Sequence, residues 1–169
     1  QKWKAKWVNV DDVESPNDDL RKRGFALGAA KFSGGEGIWF YEGKIIFTCK
    51  SGGKSGLGQV FVYEPSGRED EGLVEDGHIA LFLEPNDKEK YNSGDNLTVS
   101  PRGDIYICED GRNKNGVLRA LPNGELYRFA MNKMNGSEMA GGCFSPDGKV
   151  FFANIQSPGL TLAIHGPFV

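Results

Sequence analysis

Residues 94–112 read GDNLTVSPRGDIYICEDGR. An acid–amide pair leads into a short apolar run, a turn at Ser100-Pro101-Arg102-Gly103, a second apolar run, and then the acids Glu109 and Asp110. Residues 34–53, GGEGIWFYEGKIIFTCKSGG, and residues 137–159, SEMAGGCFSPDGKVFFANIQSPG, follow the same plan. A strand–turn–strand unit that recurs with oxygen-bearing residues at its ends is the pattern of blades around a shared axis. The predicted fold class is therefore all-β, built of β-propeller blades.

The turn glycines Gly43, Gly103 and Gly148 set the register, with separations of 60 and 45 residues. The second spacing suits a four-stranded blade of ~40–50 residues, and the first requires a longer loop. Seven positions before these glycines stand Glu36, Asn96 and Gly141, and six positions after them stand Cys49, Glu109 and Asn154. The register is shared and the side chains differ, so each copy is expected to bring something different to one site. Rings of this kind need ~4–8 blades. The expectation is a partial propeller, completed by a missing segment or by another chain. Residues 34–169 form the blades, and residues 1–33 an amino-terminal strand and short helical connection.

Between the repeats, strands are expected at 59–63, 79–84, 117–121 and 125–130, and a closing edge strand at 161–164. Residues 68–77 read as a polar loop. Trp3, Trp7 and Val10 alternate with charged residues and predict a strand pairing with a distant sheet. Ser15 to Asp19 signals a helix start, and the helix is expected to break near Gly24 or Gly28.

The 169 residues carry a net charge of −3, with 23 acids and only two histidines. That balance argues against general nucleic-acid binding, which needs a basic face, and leaves carboxylates as the available metal ligands. Cys49, Cys108 and Cys143 lack CxxC spacing and sit beside apolar residues, so each reads as a buried thiol. No apolar run approaches the ~20 residues of a membrane helix. No GxSxG, HExxH or P-loop pattern occurs.

The chemistry therefore rests on acids at strand ends. Glu36 projects between glycines, as a hard-cation ligand or as a solvated turn residue. Asp95 and Asn96 pair a carboxylate with an amide oxygen, which suits Ca²⁺ and equally an Asx-turn. Glu109 and Asp110 are adjacent and point to opposite faces of a strand, so one of them can face the axis; Asp110, beside Gly111, is the better candidate. Glu138 leads into an apolar, Gly-rich strand start. Lys50, Lys54 and Arg112 follow strands in loops, placed to bind an anionic substrate or simply solvated. Asn154 and Gln156 can support ligands or tie down their loop.

Taken together, GEGIWF, IIFTCKSGG, GQVFVYEP, DNLTVSPRGDIYICEDG, SEMAGGCFSPDG and FFANIQSPGLTLAIHGPF resemble the carboxyl-terminal half of bacterial PhoX-type alkaline phosphatases, over nearly the whole chain. The resemblance implies a metal-dependent phosphomonoester hydrolase with calcium, and iron as a second metal, in a central channel. It implies export to the periplasm or beyond, and an amino-terminal half of the propeller that carries a cysteine ligand to iron. Carried over by motif, Glu36 and Glu138 are metal ligands, followed by Asp95, Asn96 and Asp110. Lys50 and Arg112 are substrate-binding candidates by their own loop positions and not by the resemblance. The residues alone leave two other readings open: a calcium-dependent lactonase or esterase propeller, and a non-catalytic propeller stabilised by calcium.

Overall fold

The computed structural model describes residues 1–67 and 77–168. The polar loop expected at 68–77 lies, apart from Gly77, outside the described residues. The first repeat gives β2 (Gly35–Tyr41) and β3 (Lys44–Cys49), followed by β4 (Gln59–Glu64) and β5 (Gly77–Leu83). The second gives β6 (Gly94–Val99), β7 (Ile105–Glu109), β8 (Gly116–Ala120) and β9 (Leu126–Met131). The third gives β10 (Met139–Phe144), β11 (Val150–Ile155) and β12 (Leu160–His165). Each repeat is a meandering antiparallel sheet, and β12 is the edge strand expected near the chain's end.

The turns explain why the strands reverse where they do. Glu42 and Gly43 both have positive φ, at 46° and 75°, the geometry of a tight hairpin turn whose twist matches its strands. In the second and third repeats the turn glycine instead donates back to a serine carbonyl, Gly103 to Ser100 at 2.9 Å and Gly148 to Ser145 at 2.8 Å. Proline at the second position presets the backbone of such a turn, and glycine at the fourth tolerates positive φ.

The amino-terminal strand is β1 (Lys2–Ala5), which adds to the outer edge of the first sheet by pairing with β5, Lys2 opposite Ala80 and Ala5 opposite Gly77. It is shorter than the expected run. Trp7 has left the sheet, donating its indole N–H to the Tyr63 hydroxyl at 2.9 Å with the rings edge-on. The helix, α1 (Leu20–Ala26), runs through Gly24, which is buried, and stops before Gly28 at φ 95°. Its N-cap is Asp19, and the Ser15 hydroxyl, from the preceding turn, accepts from the N–H groups of Asp19 and Leu20.

The three sheets stack face to face in chain order, with the first strand β6 of the middle sheet against β2 of the first and β10 of the third. The middle sheet is covered on both sides. Ile105 and Ile107 of β7 join Ile46, Val60, Leu97 and Leu118 in one core. Tyr106 and Cys108, pointing the other way, join Val117, Met139 and Phe151 in a second. A strand alternates its side chains between faces, so a strand buried on both sides reads as a continuous apolar run. The outer faces are different. Ile38 and Phe40 are 66% and 68% exposed on the far side of the first sheet. Cys143 is exposed on the far side of the third, which corrects the expectation that all three thiols are buried. Its neighbour Phe144 takes the inward side, where it meets Tyr106 and Phe151. Cys49 and Cys108 are buried, and burial pushes the Cys108 thiol up to about 12. Among the described residues the sheets do not close into a ring.

Each inner hairpin slips register at the same place: between Gly35 and Ile38, between Gly94 and Leu97, and between Ala140 and Cys143. A bulge inserts an extra residue and re-aims its side chain. The first two bulges touch. A Cβ on Gly37 would lie 2.6 Å from the Asp95 carbonyl oxygen and 2.6 Å from the Leu97 nitrogen. Those atoms are backbone and cannot swing aside. Gly37→Ala is expected to destabilise the protein by about 2 kcal/mol, the usual scale for overpacking; a urea titration measures it, and an unchanged midpoint contradicts the close approach.

Candidate metal centre

The bulge of β6 carries Asp95 and Asn96, Asp110 follows the last residue of β7, and Glu138 precedes the first residue of β10. The start of an inner strand and the end of its hairpin partner lie at one end of an antiparallel pair. The three acids therefore share a rim of the stacked sheets. One carboxylate oxygen from each of Asp95, Asp110 and Glu138 lies within 4.8 Å of the others. All three residues are half-buried.

Lys50 reaches the same point from the first sheet. It follows β3 as Asp110 follows β7, seven residues beyond its turn glycine in each case. The Lys50 ammonium donates to Asp110 Oδ2 and lies 3.3 Å from Asp95 Oδ2. The hydrogen bond to Asp110 raises the Lys50 pKa. Glu138 is also held above the usual carboxylate range, first by burial and then by sharing a hydrogen bond with Asp110 beside the charge of Asp95. Three carboxylates against one ammonium leave negative charge in surplus. Such a cluster of hard oxygens fits a divalent cation of the calcium type. Asp95, Asp110 and Glu138 are the residues that would hold it.

The scaffold around the cluster is locked by buried polar contacts. Thr48 is fully buried. Its hydroxyl accepts from the Gly37 N–H at 2.8 Å and donates to the Asp95 carbonyl at 2.5 Å, tying the first bulge to the second. Asn154 donates to the Ala140 carbonyl and accepts from the Thr161 hydroxyl, which steadies the third bulge. Beneath Asp110 sits Glu109, with no exposed surface. It accepts from the N–H groups of Asn92 at 2.9 Å and Gly116 at 3.1 Å, and from the Arg128 guanidinium. Burial nevertheless pushes its carboxyl upward.

The residues singled out from sequence are thus distributed unequally. Asp95, Asp110, Glu138 and Lys50 come together. Asn96 is half-buried beside Asp95 in the same bulge. Glu36 occupies the equivalent bulge of β2, where it is exposed and outside the three-carboxylate group. Arg112 and Lys54 are exposed on their loops. The Glu109–Arg128 pair was not anticipated. Its signal was present in the parity of β7, since Glu109 shares a face with Ile105 and Ile107.

Comparison with known proteins agrees with this architecture. The family described as alkaline phosphatase PhoX matches residues 2–159. A solved structure, Pseudomonas fluorescens PhoX in complex with vanadate, a transition state analogue, superposes with a TM-score of 0.65 at 23% identity. That match covers 81% of this chain and 31% of the Pseudomonas fluorescens chain. The chain thus spans about a third of that neighbour's length. A search of curated proteins found no match.

Proposed function

This chain belongs to the alkaline phosphatase PhoX family, and from that premise we propose that it forms the carboxylate-bearing part of a metal-dependent phosphomonoesterase. The observation that carries the proposal is the meeting of Asp95, Asp110 and Glu138 with Lys50 at one rim. Family membership supports a hydrolase, and the acid cluster supplies a place for its cations. Calcium is the metal that these oxygens favour, with iron as a second metal in the whole enzyme.

A cation bound there would neutralise phosphoryl oxygens and make a bound water more acidic. The chain's own groups do the rest. Asp95, Asp110 and Glu138 fix the position of the positive charge, and the locked bulges keep them from relaxing apart. Lys50 spans Asp95 and Asp110, so it offers an ammonium to an anionic ester at the edge of the same cluster. Arg112, on the loop that begins at Asp110, is a second candidate for that contact. Glu36, in the bulge of β2, extends the ligand set toward whatever borders the first sheet. Ile38 and Phe40, exposed on that face, supply apolar surface for the remaining amino-terminal half of the propeller or a complementing chain. The family supports an extracytoplasmic setting; no helix among the described residues is long and apolar enough to cross a membrane.

The test is phosphate release from p-nitrophenyl phosphate by the complete protein, with and without Ca²⁺. Cation-dependent release is expected, and a folded protein silent under both conditions would refute the reading. Binding should also show as stability: Ca²⁺ at a hundred times its dissociation constant adds about 2.7 kcal/mol. A thermal melt of the complete protein is expected to shift upward with Ca²⁺, and Asp110→Asn is expected to abolish most of that shift.

A further inference from the structure

The three carboxylates stand at or beside the ends of loops that also wall a second concavity. The loop at 84–93 runs into β6 and Asp95, the loop at 110–115 begins at Asp110, and the loop at 132–138 ends at Glu138. Between them lies a cavity of about 410 Å³ whose lining includes Lys88, Glu89, Lys114, Arg128, Asn132 and Lys133. Its charge is opposite to that of the cluster. Glu89 offsets Lys114 at 3.2 Å, and buried Glu109 offsets Arg128. Lys88 and Lys133 are exposed and pair with no carboxylate among the described residues. Two positive charges therefore remain in surplus, in a chain whose net charge is −3.

The walls are braced. Asn115 is 1% exposed; its amide donates to the carbonyls of Gly111 and Gly136, at 3.0 and 3.1 Å, and joins two of the loops. Asn92 donates to the Lys114 carbonyl from the third. Asn132 donates to the Ser137 carbonyl at 3.0 Å, immediately before Glu138. Asn113 stands three positions beyond Asp110, and Asn135 three positions before Glu138. Each is a reach of at most about 11 Å along extended chain.

Resting on the phosphoester reading of the carboxylate cluster, we propose that this basic groove receives a second phosphoryl group of the substrate, while the first lies at the cluster. The favoured substrates are then phosphate esters with two phosphoryl groups a short distance apart. Compact ammonium charges suit a multiply charged anion, and the salt dependence of such contacts follows from screening.

The probes are inorganic tripolyphosphate and orthophosphate, titrated calorimetrically into the complete protein with Ca²⁺ held in excess over the titrant, so that the cluster is loaded. Lys88→Gln with Lys133→Gln is expected to weaken tripolyphosphate binding roughly tenfold, as removal of two charge-assisted contacts would. Orthophosphate binding should change less than about twofold, since a single group cannot span groove and cluster. The Lys→Arg pair should retain tripolyphosphate binding, and both variants should melt as the parent does because these side chains are exposed. Turnover of p-nitrophenyl phosphate, which has one phosphoryl group, should be unchanged. Equal losses for both anions, unaltered tripolyphosphate binding, or no tripolyphosphate binding by the parent would overturn the groove. Failure of p-nitrophenyl phosphate turnover with the tripolyphosphate contrast intact would leave an anion groove and remove only the phosphoesterase reading.

Discussion

Glu138→Gln in the complete protein is expected to cut Ca²⁺-dependent release of phosphate from p-nitrophenyl phosphate at least roughly a hundredfold. The substitution keeps the shape of the side chain and removes the charge that a cation needs. It also relieves the crowding that holds Glu138 above the usual carboxylate range, so the cation-free protein should lose no stability. The signature is therefore a loss of activity and of calcium-induced stabilisation together, without a fall in the cation-free melting temperature. Asp110→Asn should lose activity similarly, and it also deprives Lys50 of its principal partner. Glu36→Gln separates two versions of the site. If Glu36 completes the ligand set beside the remaining half of the propeller, its removal lowers calcium affinity in the complete protein. If calcium affinity is unchanged, the cluster is confined to Asp95, Asp110 and Glu138. Full activity in Glu138→Gln would contradict the proposed centre.

Glu109→Gln is expected to destabilise the protein by about 3 kcal/mol, the scale for breaking a buried ion pair by removing one partner. Glu109 accepts three donors from a position with no exposed surface. A glutamine must turn its NH₂ group toward at least one of them, setting donor against donor. It also leaves the Arg128 guanidinium, 27% exposed in its side chain, without its counter-charge. Urea unfolding should show a lower midpoint with an unchanged slope. A shift below about 0.5 kcal/mol, the range of an ordinary surface change, would contradict the structural role. The consequence for function is indirect. Glu109 and Asp110 are adjacent, and a loosened Glu109 would free the end of β7 that aims Asp110 at the cluster.

How far the chain could be read without coordinates differs from element to element. The inner hairpins were legible because two local signals agree at each: glycine or Pro-x-Gly turns, and apolar runs of strand length on either side. The preference for Asp110 over Glu109 was legible too, from the loop that begins there beside Gly111. The alternation argument was sound there, since the two carboxylates point oppositely, one into the core and one to the rim. The amino-terminal strand was overestimated because Trp7 looks like the next member of an alternating series. In the structure its indole prefers the Tyr63 hydroxyl, a partner 56 residues away that no local pattern encodes. Cys143 was misjudged for a related reason. Beside Phe144 it looks buried, but whether a strand's second face is covered depends on which sheet lies beyond it.

The repeat spacing, the turn chemistry and the placement of acids at strand ends were determined by sequence alone, because each depends on residues within a few positions of one another. Which acids meet was decided only by the packing of three sheets. Asp95, Asp110 and Glu138 come from different strands, and Lys50 from another sheet, and their approach depends on bulges and on the contact of Gly37 with the Asp95 backbone. A local pattern can say that a carboxylate stands at the end of a strand; only the stacking of one sheet on the next gives it neighbours.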